Sequence, residues 1–171
     1  MVSKNSLLGL TILVSLFLSN VFASEYPLKE DVSSIDGIIS AYYDVISGPK
    51  GHVYNSARDE SLHAEGALIT RIMDDGTIQR HSLKEEQKGM AGLWDDGFFE
   101  IELNRIVEEY GNVAHVWSTF DMRQSPEGKS FNTGINSISL YYHEDRWWIA
   151  SWTTINIDKD NIPEKYLPKI E

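Results

Sequence analysis

The second half of this chain alternates apolar and polar side chains, and this pattern constrains the fold more than any other feature. The alternation extends over four segments, residues 98–109, 113–123, 131–143 and 147–156. Short breaks rich in glycine, proline and acidic residues separate these segments. Strands joined by such short connections pair antiparallel with their neighbours in sequence. The sequence therefore predicts a four-stranded antiparallel meander.

The residues before this meander have helical periodicity. Apolar side chains recur at helical spacing from Ile35 to Ile46, after a capping serine at 33 or 34 and before Gly48-Pro49. A weaker helix is predicted over 52–63 and a short hairpin over 67–80, followed by a third helix that starts at the capping box of Ser82. Helices that precede an antiparallel sheet are the order of an α+β domain.

The first 23 residues have the three parts of a secretory signal peptide. Lys4 is followed by an apolar run over 7–18 and by Val21-Phe22-Ala23, which has small residues where signal peptidase reads them. A membrane anchor is the alternative, but the run is shorter than the roughly 20 residues that span a bilayer. We therefore expect a mature domain over 24–171 that is periplasmic or secreted.

Charge and cysteine content exclude several classes of function. The chain has a formal net charge of −11 at pH 7 and no cysteine. Without cysteine it has no disulfides and no site for a bacterial lipid anchor. An acidic surface without a basic cluster repels phosphate backbones and anionic headgroups. We expect neither a nucleic-acid partner nor a membrane partner after the signal peptide is removed.

The last two predicted strands are apolar on both faces. Ile138, Leu140, Trp147 and Ile149 alternate with partners that are also large. One face can pack on the helices, so the other needs a second cover, and another copy of the chain supplies it most simply. The sequence therefore predicts a homodimer.

Five segments stand in an order that resembles a known superfamily. They are residues 42–49, 97–100, 112–119, 134–138 and 146–149, which begin respectively at Tyr42, Gly97, Asn112, Gly134 and Arg146. Together they resemble an uncharacterised bacterial branch of the nuclear transport factor 2-like superfamily, which includes SnoaL-like and ketosteroid-isomerase-like proteins. The resemblance covers residues 33–156 and implies a cone-shaped, barrel-like fold, in which a curved antiparallel sheet wraps around N-terminal helices and leaves an apolar pocket.

The resemblance also allows a comparison with ketosteroid isomerase, whose chemistry needs a carboxylate base, a tyrosine and a protonated carboxylic acid. It places Tyr42 at the tyrosine position, Arg71 at the base and Ser137 at the acid. Arginine cannot act as the base and serine cannot replace the acid, so that reaction is not expected. If Arg71 points inward, it gives the pocket a cation for a ligand carboxylate. On the surface it would instead pair with Asp74 or a glutamate.

Other polar and aromatic residues each have two interpretations. His63 lies at a helix-to-strand corner and is either a general base or a solvated helix end. Glu100 and Glu102 form a polar stripe that suggests acid–base chemistry or a solvated strand face. Trp148 and Trp152 are predicted to point inward, as ligand walls or as core. The five histidines are scattered without metal-ligand spacing, so we expect no metal site and no cofactor.

The sequence predicts an exported protein that holds a small, largely apolar molecule, with an anionic group if Arg71 faces it. The predicted ligand-binding residues are Tyr42, His63, Arg71, Ser137 and Trp152, and no catalytic residue is assigned. One alternative is a cofactor-free dehydratase, cyclase or isomerase that uses Tyr42 with a histidine or carboxylate. Another is a homodimeric interaction protein without a ligand. An enzyme requires at least two titratable groups with shifted pKa values that converge in the pocket.

Overall fold

A computed structural model describes residues 26–169, so the predicted signal peptide over 1–23 lies outside the described residues. Within this range no helix is long and apolar enough to cross a membrane. The helices are α1 Lys29–Val32, α2 Ile35–Ile46, α3 Ser56–Leu62 and α4 Leu83–Gly89. The strands are β1 His63–Ile72, β2 Ile78–Ser82, β3 Phe99–Tyr110, β4 Val113–Arg123, β5 Asn132–His143 and β6 Arg146–Asn156. Two single turns of 3-10 helix, Lys159–Asn161 and Glu164–Tyr166, follow the last strand.

The six strands form one sheet in the order β2-β1-β6-β5-β4-β3. Strands β3 to β6 are the predicted antiparallel meander, which confirms that part of the sequence analysis. The hairpin of β1 and β2 joins the far side of β6 through a parallel pairing of β1 with β6. Strands β2 and β3 remain at opposite edges, so the sheet is a curved open layer and not a closed barrel. The predicted α+β class is confirmed.

Helix α2 fills the concave face of the sheet. The Ser34 hydroxyl accepts a hydrogen bond from the backbone N–H of Gly37 and caps the helix, as its sequence predicts. Ile38 and Ile39 are fully buried, and they belong to the same apolar cluster as Phe120 and Ile138 of the sheet. This packing sets the position of Tyr42, one turn further along the helix.

A bulge in β6 changes which aromatic residues point inward. Leu140 pairs with Ile149 while Ser139 pairs with Ser151, so Ala150 is an extra residue. Trp147 and, beyond the bulge, Trp152 are buried in the core, as expected for Trp152. Trp148 lies on the other face with the Arg146 guanidinium 3.6 Å from its ring centroid. The prediction that Trp148 points inward is wrong, because an unbroken alternation assigns both tryptophans to one face.

The C-terminal segment contacts the outer face of the sheet. The backbone carbonyl of Tyr166 accepts hydrogen bonds from Thr119 Oγ1 at 2.8 Å and Asn104 Nδ2 at 3.1 Å. The Tyr166 ring also lies against Trp117, with the two ring centroids 5.5 Å apart. The chain thus covers part of this face itself, and the homodimer stays a prediction for the remainder.

Gly134 provides a sharp test of the packing of β5 against its neighbours β4 and β6. A Cβ added here would collide with the ring of Phe120 and lie 2.6 Å from the backbone oxygen of Ile155. We expect Gly134→Ala to lower the free energy of unfolding by about 1–3 kcal/mol, the usual cost of overpacking a core. Urea denaturation measures the change.

Gly89→Ala is the matched control, because a Cβ at Gly89 meets no atom within 4 Å and alanine suits a helix. We expect this variant to be as stable as the wild type or slightly more stable. Equal stabilities of the Gly134 and Gly89 variants would contradict the described packing of β5.

Candidate functional site

A cavity of about 350 Å³ lies between α2, α4 and the concave face of the sheet. This volume is at the lower end of the range for small-molecule sites. Its apolar walls include Ile46 of α2, Met90 and Leu93 after α4, and Phe98 and Met122 at the sheet. The cavity can therefore enclose a small apolar body.

Four of the five predicted ligand-binding residues line this one cavity: Tyr42, His63, Arg71 and Trp152. Ser137 is not among the lining residues, and its hydroxyl lies 2.9 Å from His115 Nε2. Its neighbour Asn136 lines the cavity instead. A displacement of one residue along a strand moves a side chain to the opposite face, which explains the misplaced Ser137.

Arg71 is anchored by a carboxylate of α4. Its guanidinium forms an ion pair with Glu86, with Nε 3.5 Å from Oε2 and a terminal nitrogen on Oε1. It also lies 5.3 Å from the ring centroid of Trp152. Burial alone would lower the pKa of Arg71, but the hydrogen bond and charge of Glu86 raise it above its ordinary value. Arg71 is therefore a permanent cation at the cavity, and the surface alternative with Asp74 is not the observed arrangement.

Glu100 is a buried carboxyl group of the cavity that was not among the ligand-binding residues predicted from the sequence. It lies on β3 and is only 8% exposed, so a solvated strand face does not describe it. Asn136 Nδ2 donates a hydrogen bond to its Oε1 at 3.2 Å. Burial raises the pKa of Glu100 to about 7, although Asn136 and the charge of Arg71 both act to lower it. A carboxyl group with this pKa exchanges protons near neutral pH.

A chain of hydrogen bonds fixes Asn136 behind Glu100. Asn136 Nδ2 also lies 3.2 Å from the hydroxyl of Tyr43, which is 2.7 Å from Ser118 Oγ. Ser118 donates to Glu102, so its oxygen accepts from Tyr43 and all donors in the chain point the same way. Burial, followed by the charge of Glu100, raises the pKa of Tyr43 well above its ordinary value, which keeps this donor protonated.

His63 and Tyr42 complete the polar part of the cavity. His63 is buried, and its Nδ1 lies 2.9 Å from the backbone carbonyl of Asp59. Since a carbonyl only accepts, Nδ1 carries a proton in this contact. The solvated helix end is therefore not the observed environment of His63. Burial, and then the charge of Glu100, raise the pKa of Tyr42 well above its ordinary value.

Three unpartnered polar atoms belong to residues of the cavity wall. Within residues 26–169 the buried side-chain atoms without a hydrogen-bond partner are His63 Nε2, Asn136 Oδ1 and Trp152 Nε1, and all three residues line the cavity. Leaving such an atom unpaired costs about 1–3 kcal/mol. These three atoms have almost no accessible surface, so they lie within the wall of the cavity. No group of three or more histidine, aspartate or glutamate side chains in the described range is arranged to hold a metal ion.

Comparisons with known proteins identify the fold. No protein-family model matches the chain, and no curated protein matches it. A Nostoc punctiforme protein of unknown function with a cystatin-like fold superposes with a TM-score of 0.57 at 10% identity, covering 73% of this chain and 90% of its own. A proposed dehydratase of the NTF2-like family from Streptomyces avermitilis has a TM-score of 0.54 at 13% identity, covering 75% and 96%.

A third solved structure, a proposed ketosteroid isomerase from Shewanella frigidimarina, has a TM-score of 0.52 at 17% identity and covers 71% of this chain and 94% of its own. At these identities the likeness concerns the fold alone. The predicted resemblance is confirmed at that level, and the chain has the NTF2-like fold.

Proposed function

We propose that the protein is a cofactor-free enzyme that moves a proton on a small, largely apolar molecule bound in the cavity, and that it acts after export. The observation that carries this proposal is Glu100, whose pKa is raised to about 7 in the cavity that Tyr42 also lines. Glu100 and Tyr42 are thus two titratable groups with shifted pKa values in one cavity, as an enzyme requires.

In the proposed reaction the Glu100 carboxylate takes a proton from a carbon atom next to a carbonyl group. The electron pair of the broken C–H bond forms the C=C bond of an enolate, and the negative charge develops on the carbonyl oxygen. Tyr42, which stays protonated because its pKa is raised, donates a hydrogen bond to that oxygen. Glu100 then returns the proton either to a different carbon, as in isomerisation, or to a leaving hydroxyl group, as in dehydration.

The proposed base stands at a different position in the chain from the one that the resemblance implied. Arg71 occupies the position expected for the base, and Glu100 enters from β3. Two of the similar structures carry names of this reaction class, one a proposed dehydratase and the other a proposed ketosteroid isomerase. These names support a search among carbonyl compounds and do not specify the substrate.

Glu100→Gln tests the proposed base. Glutamine keeps an oxygen that can accept from Asn136 but cannot take a proton. General-base catalysis contributes at least about 100-fold, so we expect the variant to lose about that factor in rate. Proton NMR would follow deuterium incorporation next to the carbonyl of cyclic ketones, enones and hydroxy ketones. In the wild type the rate should rise with pH, with a midpoint near the Glu100 pKa of about 7.

Glu109→Gln is the control for this experiment, because Glu109 lies on the same strand but is exposed. It should exchange deuterium at the wild-type rate. Equal rates in the wild type and the Glu100 variant would rule out Glu100 as the base.

A binding protein without turnover is the second candidate, and one observation favours it. Arg71, held between Glu86 and Trp152, is suited to an anionic oxygen on an apolar molecule. If compounds bind in the cavity and none exchanges a proton faster than in buffer, this second function replaces the first.

A further inference from the structure

Helix α4 covers the cavity in an unusual way. Its seven residues, from Leu83 to Gly89, contain one large apolar side chain, and the only buried residue among them is Glu86. A helix that packs on an apolar cavity usually buries an apolar stripe. Here the buried side chain of the helix is instead the carboxylate of Glu86, which forms an ion pair with Arg71.

Glu86 makes contacts that any carboxylate of a small molecule could also make. Its two oxygens face the Arg71 guanidinium at two points, which is the arrangement in which arginine binds carboxylates. His81 Nδ1 lies 3.4 Å from the same Oε2, so a second nitrogen faces this position. Glu86 therefore occupies a small anion-binding position at one end of the cavity.

Arg71 would keep its place if Glu86 moved away. Trp152 lies beneath the guanidinium, and β1 is paired on both sides, with β2 and with β6. Glu86, in contrast, sits on a short helix whose one large apolar side chain is Leu83. Of the two partners, the carboxylate is the one that can be exchanged.

We propose that the substrate is a carboxylic acid with an apolar body, and that its carboxylate replaces Glu86 on Arg71. This inference rests on the proposed function for the same cavity and names its substrate class. The apolar body then lies against Trp152 and Met122, while the carbonyl-bearing end faces Tyr42 and Glu100. Given that end, the acid is an apolar oxo acid.

Calorimetry with hexanoate, octanoate, decanoate and phenylacetate tests the exchange, with the matching primary amides as neutral probes. We expect at least one acid to bind the wild type about tenfold more tightly than its amide, since charged hydrogen bonds exceed neutral ones. Glu86→Gln removes the competing charge and should bind that acid about tenfold more tightly than the wild type.

Removal of Arg71 should have the opposite effect. Arg71→Met leaves Glu86 buried without its partner, so the double variant Arg71→Met/Glu86→Leu serves as a second test that removes both charges. In it the acid should bind about 30-fold more weakly than in the wild type, and no better than its amide. Glu109→Gln removes an exposed carboxylate that is not among the lining residues, so it is the control and should bind like the wild type.

Several results would overturn the proposal: no acid of the series binding the wild type or Glu86→Gln, acid and amide binding equally, or Glu86→Gln binding the acid no better than the wild type. The acids should also bind Glu100→Gln, which lacks the proposed base. Acid binding without proton exchange would therefore defeat the proposed function alone. Proton exchange on neutral ketones without acid binding would defeat this inference alone.

Discussion

Glu100→Gln should raise the free energy of unfolding by about 3 kcal/mol at pH 8 and change it little at pH 4. The pKa of Glu100 is raised from 4.5 to about 7 in the folded protein, so folding favours the protonated carboxyl. This preference stabilises the wild type fully below the pKa that Glu100 has in the unfolded chain. The stabilisation is lost as the pH rises through the pKa that Glu100 has in the folded protein. Glutamine resembles the protonated carboxyl at every pH, so the variant keeps this stability.

The measurement is urea denaturation of wild type and variant across pH 4 to 8, with the exposed Glu109→Gln as control. The difference between the Glu100 variant and the wild type should grow between about pH 4.5 and 7 and then level off. A difference that does not depend on pH would mean that Glu100 titrates normally. The base proposed for the reaction would then lack its tuned pKa.

Arg71→Met should lower the free energy of unfolding by about 3 kcal/mol, since it leaves the buried carboxylate of Glu86 without its partner. The Glu86 side chain is only 8% exposed, so water cannot replace the guanidinium there. The double variant Arg71→Met/Glu86→Leu should recover most of the loss, because it removes both charges together.

Urea denaturation of the wild type, both single variants and the double variant completes a double-mutant cycle. Additive effects of the two substitutions would show that Arg71 and Glu86 do not stabilise each other. Lys50 and Asp96 form an exposed ion pair at 3.3 Å, and the same cycle there should give less than about 1 kcal/mol.

The fold could be predicted because its strands follow a simple alternation over long segments. The strand ends of β4 and the capping box at Ser82 and Glu85 agree with the sequence interpretation. The same alternation, counted without interruption, failed where β6 bulges at Ala150, and Trp148 was assigned to the wrong face. When both faces of a strand carry large side chains, the pattern of apolar and polar residues does not show where a bulge interrupts the alternation.

The site was predicted less well because its charges are buried by contacts distant in sequence. Glu100 follows the apolar Phe98 by two residues, and that shared face was the available signal that it points inward. Glu86 carries no such signal, since the helix around it lacks an apolar stripe. Its burial is a consequence of Arg71, which β1 places opposite it and which no local pattern could reveal.

The parallel pairing of β1 with β6 has a consequence for how the protein acquires activity. Arg71 lies opposite Thr154 and Ile69 opposite Trp152, so part of the cavity wall is formed by the strands that come first and last along the chain. We expect contacts between such distant parts of the chain to form slowly during folding, because a long loop must close first. The meander from β3 to β6 can form its hairpins from local contacts, yet it holds neither Arg71 nor Tyr42. We therefore expect the ligand-binding site to form only after β1 has paired with β6. A molecule that lacks this pairing would lack the site.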